Sequence, residues 1–183
     1  DAQKRYVWTS TGGLSSAQGG SITVTSSGSV IGNYKTQYYL TLQTDPLSIS
    51  SPSGTGWYDA GANATIDTPA FVDIVPGSSR YRFNGWTTGN MSEIADPSRS
   101  PTTVIIDGGK TVTAMYVTQY AVTFSQSGVG SDFGNTIVTI DTIDYNYSGL
   151  SVKFMWDDST IHSFEFKAPL VVTANSKRYI WTG

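Results

Sequence analysis

The feature that most limits how this chain can fold is an internal repeat. The segment ITVTSSGSVIGNYKTQYYLTL, starting at Ile22, lines up without a gap on VIIDGGKTVTAMYVTQYAVTF, starting at Val104. Val24 falls on Ile106, Val30 on Val112, Tyr34 on Tyr116, and Thr36-Gln37-Tyr38 on Thr118-Gln119-Tyr120. A register kept through a turn points to two copies of one supersecondary unit, each with an apolar face that a neighbouring element must cover. In both copies apolar residues alternate with Thr and Ser, the period of a strand with one covered face. Asp107-Gly108-Gly109 is a strong turn signal and Ser26-Ser27-Gly28 a weaker one, so each copy is expected to be a hairpin. No stretch carries a 3.6-residue apolar period with caps, and the chain reads as all-β.

A second phrase occurs three times: Arg5-Tyr6-Val7-Trp8-Thr9, Arg80-Tyr81 running to Trp86-Thr87, and Arg178-Tyr179-Ile180-Trp181-Thr182. In the middle copy the Arg-Tyr strand precedes the 104–116 pair, and Thr-Gln-Tyr follows. That order makes 37–118 a complete β-sandwich domain. Residues 119–183 repeat it as far as KRYIWTG without the final pair, whereas residues 1–36 carry an Arg-Tyr strand and a final pair with nothing before them. The expectation is two sandwich domains, 37–118 and 119–183, the second incomplete, with 1–36 a donor tail presenting Ile22, Val24, Val30, Ile31 and Tyr34. An unfinished sandwich exposes unpaired backbone and an apolar groove. A strand from the next molecule would fill it by β-strand addition, and a head-to-tail contact of that kind does not close on itself. Two other readings stay open: the tail completes its own chain, or the chain is cut from a tandem array continuing past residue 183.

Charged residues are 14% of the chain and the net charge is -3, which disfavours a nucleic-acid partner needing a basic face. No apolar run approaches the roughly 18 residues of a membrane span. No signal-peptide pattern opens the sequence, and Asp1 reads as the start of a processed chain. Cysteine is absent, so neither disulfides nor thiolate metal sites are available. The sequons at Asn63, Asn90 and Asn146 lie beside turn signals and are expected to carry N-linked glycans in an extracellular setting. No other cofactor is expected. His162, the one histidine, sits in a strand and reads as structural, and Asp157-Asp158 reads as a turn. Asp141 and Asp144 are too few for a calcium cage. No catalytic constellation emerges, so no enzyme is expected. Trp57, Tyr58, Trp86, Tyr145 and Tyr147 fit either a core or a sugar-stacking face, and a carbohydrate-binding adhesin is the alternative function.

The residues Gly56-Trp57-Tyr58-Asp59-Ala60-Gly61, Phe83-Asn84-Gly85-Trp86 and Tyr116-Val117-Thr118-Gln119-Tyr120 resemble the Ig-like repeat domains of archaeal cell-surface proteins. The stretch from Phe124 through Trp156, Asp157, His162 and Phe164 to Trp181 is similar to a companion repeat in the same proteins. A chain of this size with complementary ends also resembles the archaeal thread pilus subunits, in which a strand of one subunit completes the sheet of the next. The resemblance implies two Ig-like domains, a glycosylated extracellular filament built from copies of the chain, and a role in contact with other cells or surface glycans. The Arg-Tyr/Trp strand at both ends departs from the pilin pattern and leaves open whether the donor begins at Tyr6 or near Ile22.

Overall fold

A computed structural model describes residues 3–173 and 176–182, and these are mostly β-strand with two short 3-10 turns, Met91–Glu93 and Tyr147–Gly149. The strands in order are β1 (Lys4–Gly13), β2 (Val30–Asp45), β3 (Gly56–Asp59), β4 (Ala62–Ile66), β5 (Phe71–Val75), β6 (Ser79–Thr87) and β7 (Thr102–Ile106). There follow β8 (Lys110–Phe124), β9 (Val138–Ile140), β10 (Ile143–Tyr145), β11 (Val152–Asp157), β12 (Phe164–Phe166), β13 (Leu170–Thr173) and β14 (Lys177–Tyr179). Among the described residues no helix is long and apolar enough to cross a membrane. The chain forms two compact units. The first runs from the amino-terminal segment to Val72 and includes Arg82–Val117; the second comprises Asp73–Tyr81 and the chain from Thr118 onward.

In the first unit β2 is the organising strand. β1 pairs antiparallel along its first half, from Lys4 opposite Tyr38 to Gly13 opposite Val30. β3 pairs antiparallel with Gln37 to Leu40, and β8 runs parallel to the second half from Leu40 opposite Lys110. β4 and β7 form a separate antiparallel ladder. The inward residues of both ladders, among them Leu40, Ala64, Ile66, Val104, Ile106 and Val112, are fully buried. The leucine, isoleucine and valine side chains among them contribute roughly 1.5–3 kcal/mol each on burial. The Phe83-Asn84-Gly85-Trp86 stretch supports this core through a tight backbone approach. Gly85 has φ 132°, and a Cβ there would lie 3.1 Å from the Pro97 carbonyl oxygen, so only glycine fits comfortably.

The expected hairpins are not what forms. β7 and β8 are joined by Asp107-Gly108-Gly109 yet pair with β4 and β2 rather than with each other. The connection is an arch between ladders. A hairpin would keep Val104, Ile106, Val112 and Ala114 in one sheet, whereas the arch lets both strands cover the core from different ladders. Lys110 clamps it: its ammonium donates to Asp107 Oδ1 at 2.6 Å, to the Ile105 carbonyl at 2.7 Å, and to the Glu93 carboxylate. The first copy also departs from a hairpin. Ile22 and Val24 belong to no strand, and β2 starts at Val30 and pairs back with β1.

In the second unit the last part of β8 pairs antiparallel with β11, from Gln119 opposite Asp157 to Phe124 opposite Val152. On its other side β8 is flanked by β6, which pairs with β5, and three strands in the order β10-β9-β12 and the β13-β14 pair form separate sheets. Phe133, Ile137 and Leu170 form a buried cluster, against which Val129, Phe166 and Tyr179 pack. A separate aromatic stack joins Phe124, Phe154 and Trp156.

Candidate functional site

The repeat carries a side-chain junction that occurs once in each unit. In the first unit Arg5 Nε donates to Gln37 Oε1 at 2.8 Å, and Gln37 Nε2 donates to Asp59 Oδ1 at 2.7 Å. In the second, Arg80 Nε donates to Gln119 Oε1 at 2.8 Å, and Gln119 Nε2 donates to Asp157 Oδ1 at 2.8 Å. The glutamine of each Thr-Gln-Tyr strand thus lies between the arginine of an Arg-Tyr strand and an aspartate closing a tryptophan-bearing strand. Its amide suits this place, because Oε1 accepts while Nε2 donates, so it bridges a cation to a carboxylate. In the first unit the Arg5 guanidinium also lies 4.4 Å from the Trp57 ring centroid. Lys35 and Gln37 hold the Asp59 carboxyl below its usual range. The arginine and glutamine phrases were visible as repeats. Asp157 read as a turn residue, although Trp57-Tyr58-Asp59 beside Met155-Trp156-Asp157 was the available signal.

The two copies of the repeat differ sharply in burial. In the first unit Val104, Ile106 and Val112 are 0% exposed and Tyr116 is 7% exposed. Their counterparts Ile22, Val24, Val30 and Tyr34 are 44%, 73%, 50% and 63% exposed. Ile31 aligns with Thr113, which accepts from Gln43 Nε2, so it belongs to the other face of the strand from Val30. The inward set of the candidate donor is therefore Ile22, Val24, Val30 and Tyr34.

Within the second unit, β14 pairs on one side with β13, Leu170 opposite Tyr179 and Val171 opposite Arg178, and these two strands form a sheet by themselves among the described residues. Beside β14 lies a groove of about 500 Å³ lined by Val129, Ile137, Phe166, Leu170, Ile180 and Trp181, among others. Trp181 stacks on Phe166 at 5.8 Å while remaining 65% exposed. β14 is tied down by polar contacts: Tyr179 Oη donates to Asp132 Oδ1 at 2.7 Å and accepts from the Gly130 N–H at 3.0 Å, and Lys177 Nζ lies 2.5 Å from Asp132 Oδ2. Hydrogen bonds from Lys177 first and Tyr179 second lower the Asp132 pKa from 3.8, and the bond to Asp132 raises that of Lys177 from 10.5.

The pH dependence follows from those directions. A carboxyl whose folded pKa is depressed contributes stability that is fully present above its unfolded value and disappears as pH falls through the folded value. Amide exchange protection at β14 should persist down to pH 3.8, after correction for the intrinsic exchange rate, and decline only below it. At the alkaline end the raised Lys177 keeps its contribution up to 10.5 and loses it as pH rises further. Hydrogen exchange followed by mass spectrometry measures both edges; loosening of β14 well above pH 3.8 would contradict the assignment.

The three sequon asparagines are all exposed. Asn90 caps the turn at Met91–Glu93, its Oδ1 accepting from Ser92 N and, at 2.8 Å, from Ser92 Oγ. Asn146 caps Tyr147–Gly149 in the same way, accepting from Ser148 Oγ at 2.9 Å. Asn63 lies on β4. His162 stacks on Trp156 at 3.8 Å, with Nδ1 2.5 Å from Asp141 Oδ2 and Nε2 2.9 Å from Thr160 Oγ1. Asp144 accepts from Thr136 and Thr139, so Asp141 and Asp144 serve separate hydrogen-bond sets. Of the aromatics considered for sugar stacking, Trp86 is 2% exposed, its indole N–H donating to the Arg99 carbonyl at 3.0 Å, which removes it from any exposed face. Trp57 is half-buried beneath Arg5 and against Tyr39. No family model, characterised protein or solved structure matches the chain.

Proposed function

We propose that this chain is a structural subunit of an extracellular filament, joined head to tail when residues 20–36 of one molecule complete the carboxy-terminal unit of another. The observation that supports this most is the difference in burial between the two repeat copies. Ile22, Val24, Val30 and Tyr34 reproduce an element whose equivalents Val104, Ile106, Val112 and Tyr116 are core residues, yet they stand exposed. On the second unit the β14 edge that is free among the described residues lies beside a groove of mixed lining, to which Val129, Ile137, Phe166, Leu170 and Trp181 give an apolar part. Seating such side chains contributes roughly 1.5–3 kcal/mol each, and backbone pairing along the β14 edge adds to this against the cost of ordering the segment. Backbone pairing supplies affinity and the alternating side chains set the register. The contact is heterologous, so it propagates as a fibre. Within this reading Asn63, Asn90 and Asn146 carry glycans on the filament surface, and the assembly serves adhesion or contact between cells.

Deletion of residues 1–36 tests the reading. The truncated chain should give no filaments by electron microscopy under conditions in which the full chain does. Equal assembly by both chains would overturn the proposal. A full chain that stays monomeric, with an unfilled second unit, would favour the tandem-array alternative, in which a following repeat supplies the strand.

A further inference from the structure

Both ends of the chain carry nearly the same phrase, KRYVWTS at residues 4–10 and KRYIWTG at residues 177–183, and the geometry gives that likeness a purpose. We infer that β1 is a stand-in for β14 of a second copy: it occupies on β2 the edge that the neighbour's β14 takes on assembly, and it must leave for the filament to grow. This rests on the head-to-tail reading above, to which it adds the register of the joint and a built-in block.

The molecule contains its own template for the joint. The β5–β6 segment FVDIVPGSSRYRF, residues 71–83, aligns without a gap on PLVVTANSKRYIW, residues 169–181, so β13–β14 is a second copy of β5–β6. β6 has β5 on one side and β8 on the other, with Arg80 bonded to Gln119. β14 has β13 on one side and, among the described residues, no strand on the other. A Thr-Gln-Tyr strand is what fits there. β2 carries one, and its Gln37 is bonded to Arg5 of β1 in the manner of Arg80 on Gln119. Placing the neighbour's Arg178 opposite Gln37 rebuilds the junction with Asp59 unchanged on the far side.

The aromatic residues fall into place in the same register. Phe83 meets Tyr116 at 5.8 Å inside the first unit. The counterpart of Phe83 is Trp181 and that of Tyr116 is Tyr34, both well exposed. Pairing β14 with β2 brings those two rings together across the joint. β1 and an incoming β14 cannot both be seated, since one backbone edge and one Gln37 Oε1 serve either strand.

Two sets of variants test the inference. Tyr6 faces Thr36. Because Tyr39 N donates to the Gln3 carbonyl, this position alternates into a non-hydrogen-bonded pair, with Cα atoms about 4.5 Å apart, within disulfide reach. The chain has no cysteine of its own, so Y6C/T36C forms a single bond fixing β1 on β2. The oxidised variant should not assemble, and reduction should restore filaments. Arg5→Ala and Arg178→Ala should act in opposite directions, the first accelerating filament growth by roughly tenfold and the second slowing it by a similar factor, as loss of one charge-assisted hydrogen bond implies. A merely structural role for both arginines would move both rates the same way. Equal assembly of oxidised and reduced Y6C/T36C, or slowing by both alanine variants, overturns the stand-in while leaving head-to-tail assembly in place. Filaments absent from the wild-type chain as well would remove the head-to-tail reading and this inference with it.

Discussion

Val112→Asp is expected to unfold the protein, whereas Val30→Asp, at the equivalent place in the earlier repeat, is expected to leave the fold intact and abolish assembly. Val112 is completely buried on β8, in a core with Leu40, Val104 and Ile106. A carboxylate there would lose the valine's packing and sit without a partner, a combination costing about 4–5 kcal/mol or more. That is nearly the whole stability of a domain at the low end of the roughly 5–15 kcal/mol range. Val30 is half exposed, opposite Gly13 on β1, and a polar substitution there should change monomer stability by no more than about 0.5 kcal/mol. In the joint, the same carboxylate would enter the neighbour's groove and meet the desolvation penalty that Val112→Asp meets internally. Urea unfolding followed by tryptophan fluorescence, with sedimentation of the assembled material, separates the two effects. Normal filaments from Val30→Asp would deny the exposed copy its assigned part.

Trp86→Ala carries the second large effect. Its ring contacts Phe83 at 5.5 Å, its backbone N–H donates to the Pro97 carbonyl at 2.7 Å, and its indole N–H satisfies the Arg99 carbonyl. Truncation would leave a cavity beside Phe83 and an unpaired carbonyl, a loss of about 3–5 kcal/mol. The urea midpoint should fall with an unchanged slope. The same variant decides between core and sugar face, because a residue acting only in ligand contact would leave the midpoint where it was. An unchanged midpoint with lost carbohydrate binding would return Trp86 to the adhesin reading.

The all-β character was legible because alternating Val, Ile and Thr in short runs between glycine-rich turns admits little else. The pairing of those strands was not. Asp107-Gly108-Gly109 serves a hairpin and an arch equally well, and the choice is made by a nonlocal fact, that Val104 and Val112 both have to reach the core. The Arg-Tyr phrases were visible, but that Arg5 lies beside Gln37 depends on β1 folding back over 16 intervening residues, 14–29, that form no strand. Asp157 looked like a turn residue, since its bond to Gln119 exists only once β11 is laid on β8. Ile31 counted as apolar donor surface from composition alone, and its alignment with Thr113 moves it to the other face.

If the proposal holds, the exposed copy of the repeat belongs inside another molecule. Sedimentation velocity of the purified chain, from micromolar to millimolar concentration and with electron micrographs of the same samples, decides whether it does. The expected result is a ladder of end-to-end oligomers lengthening into unbranched rods as concentration rises, with Ile22 and Val24 becoming protected from solvent. A single compact monomer across the whole range, with those residues still open to water, would contradict it.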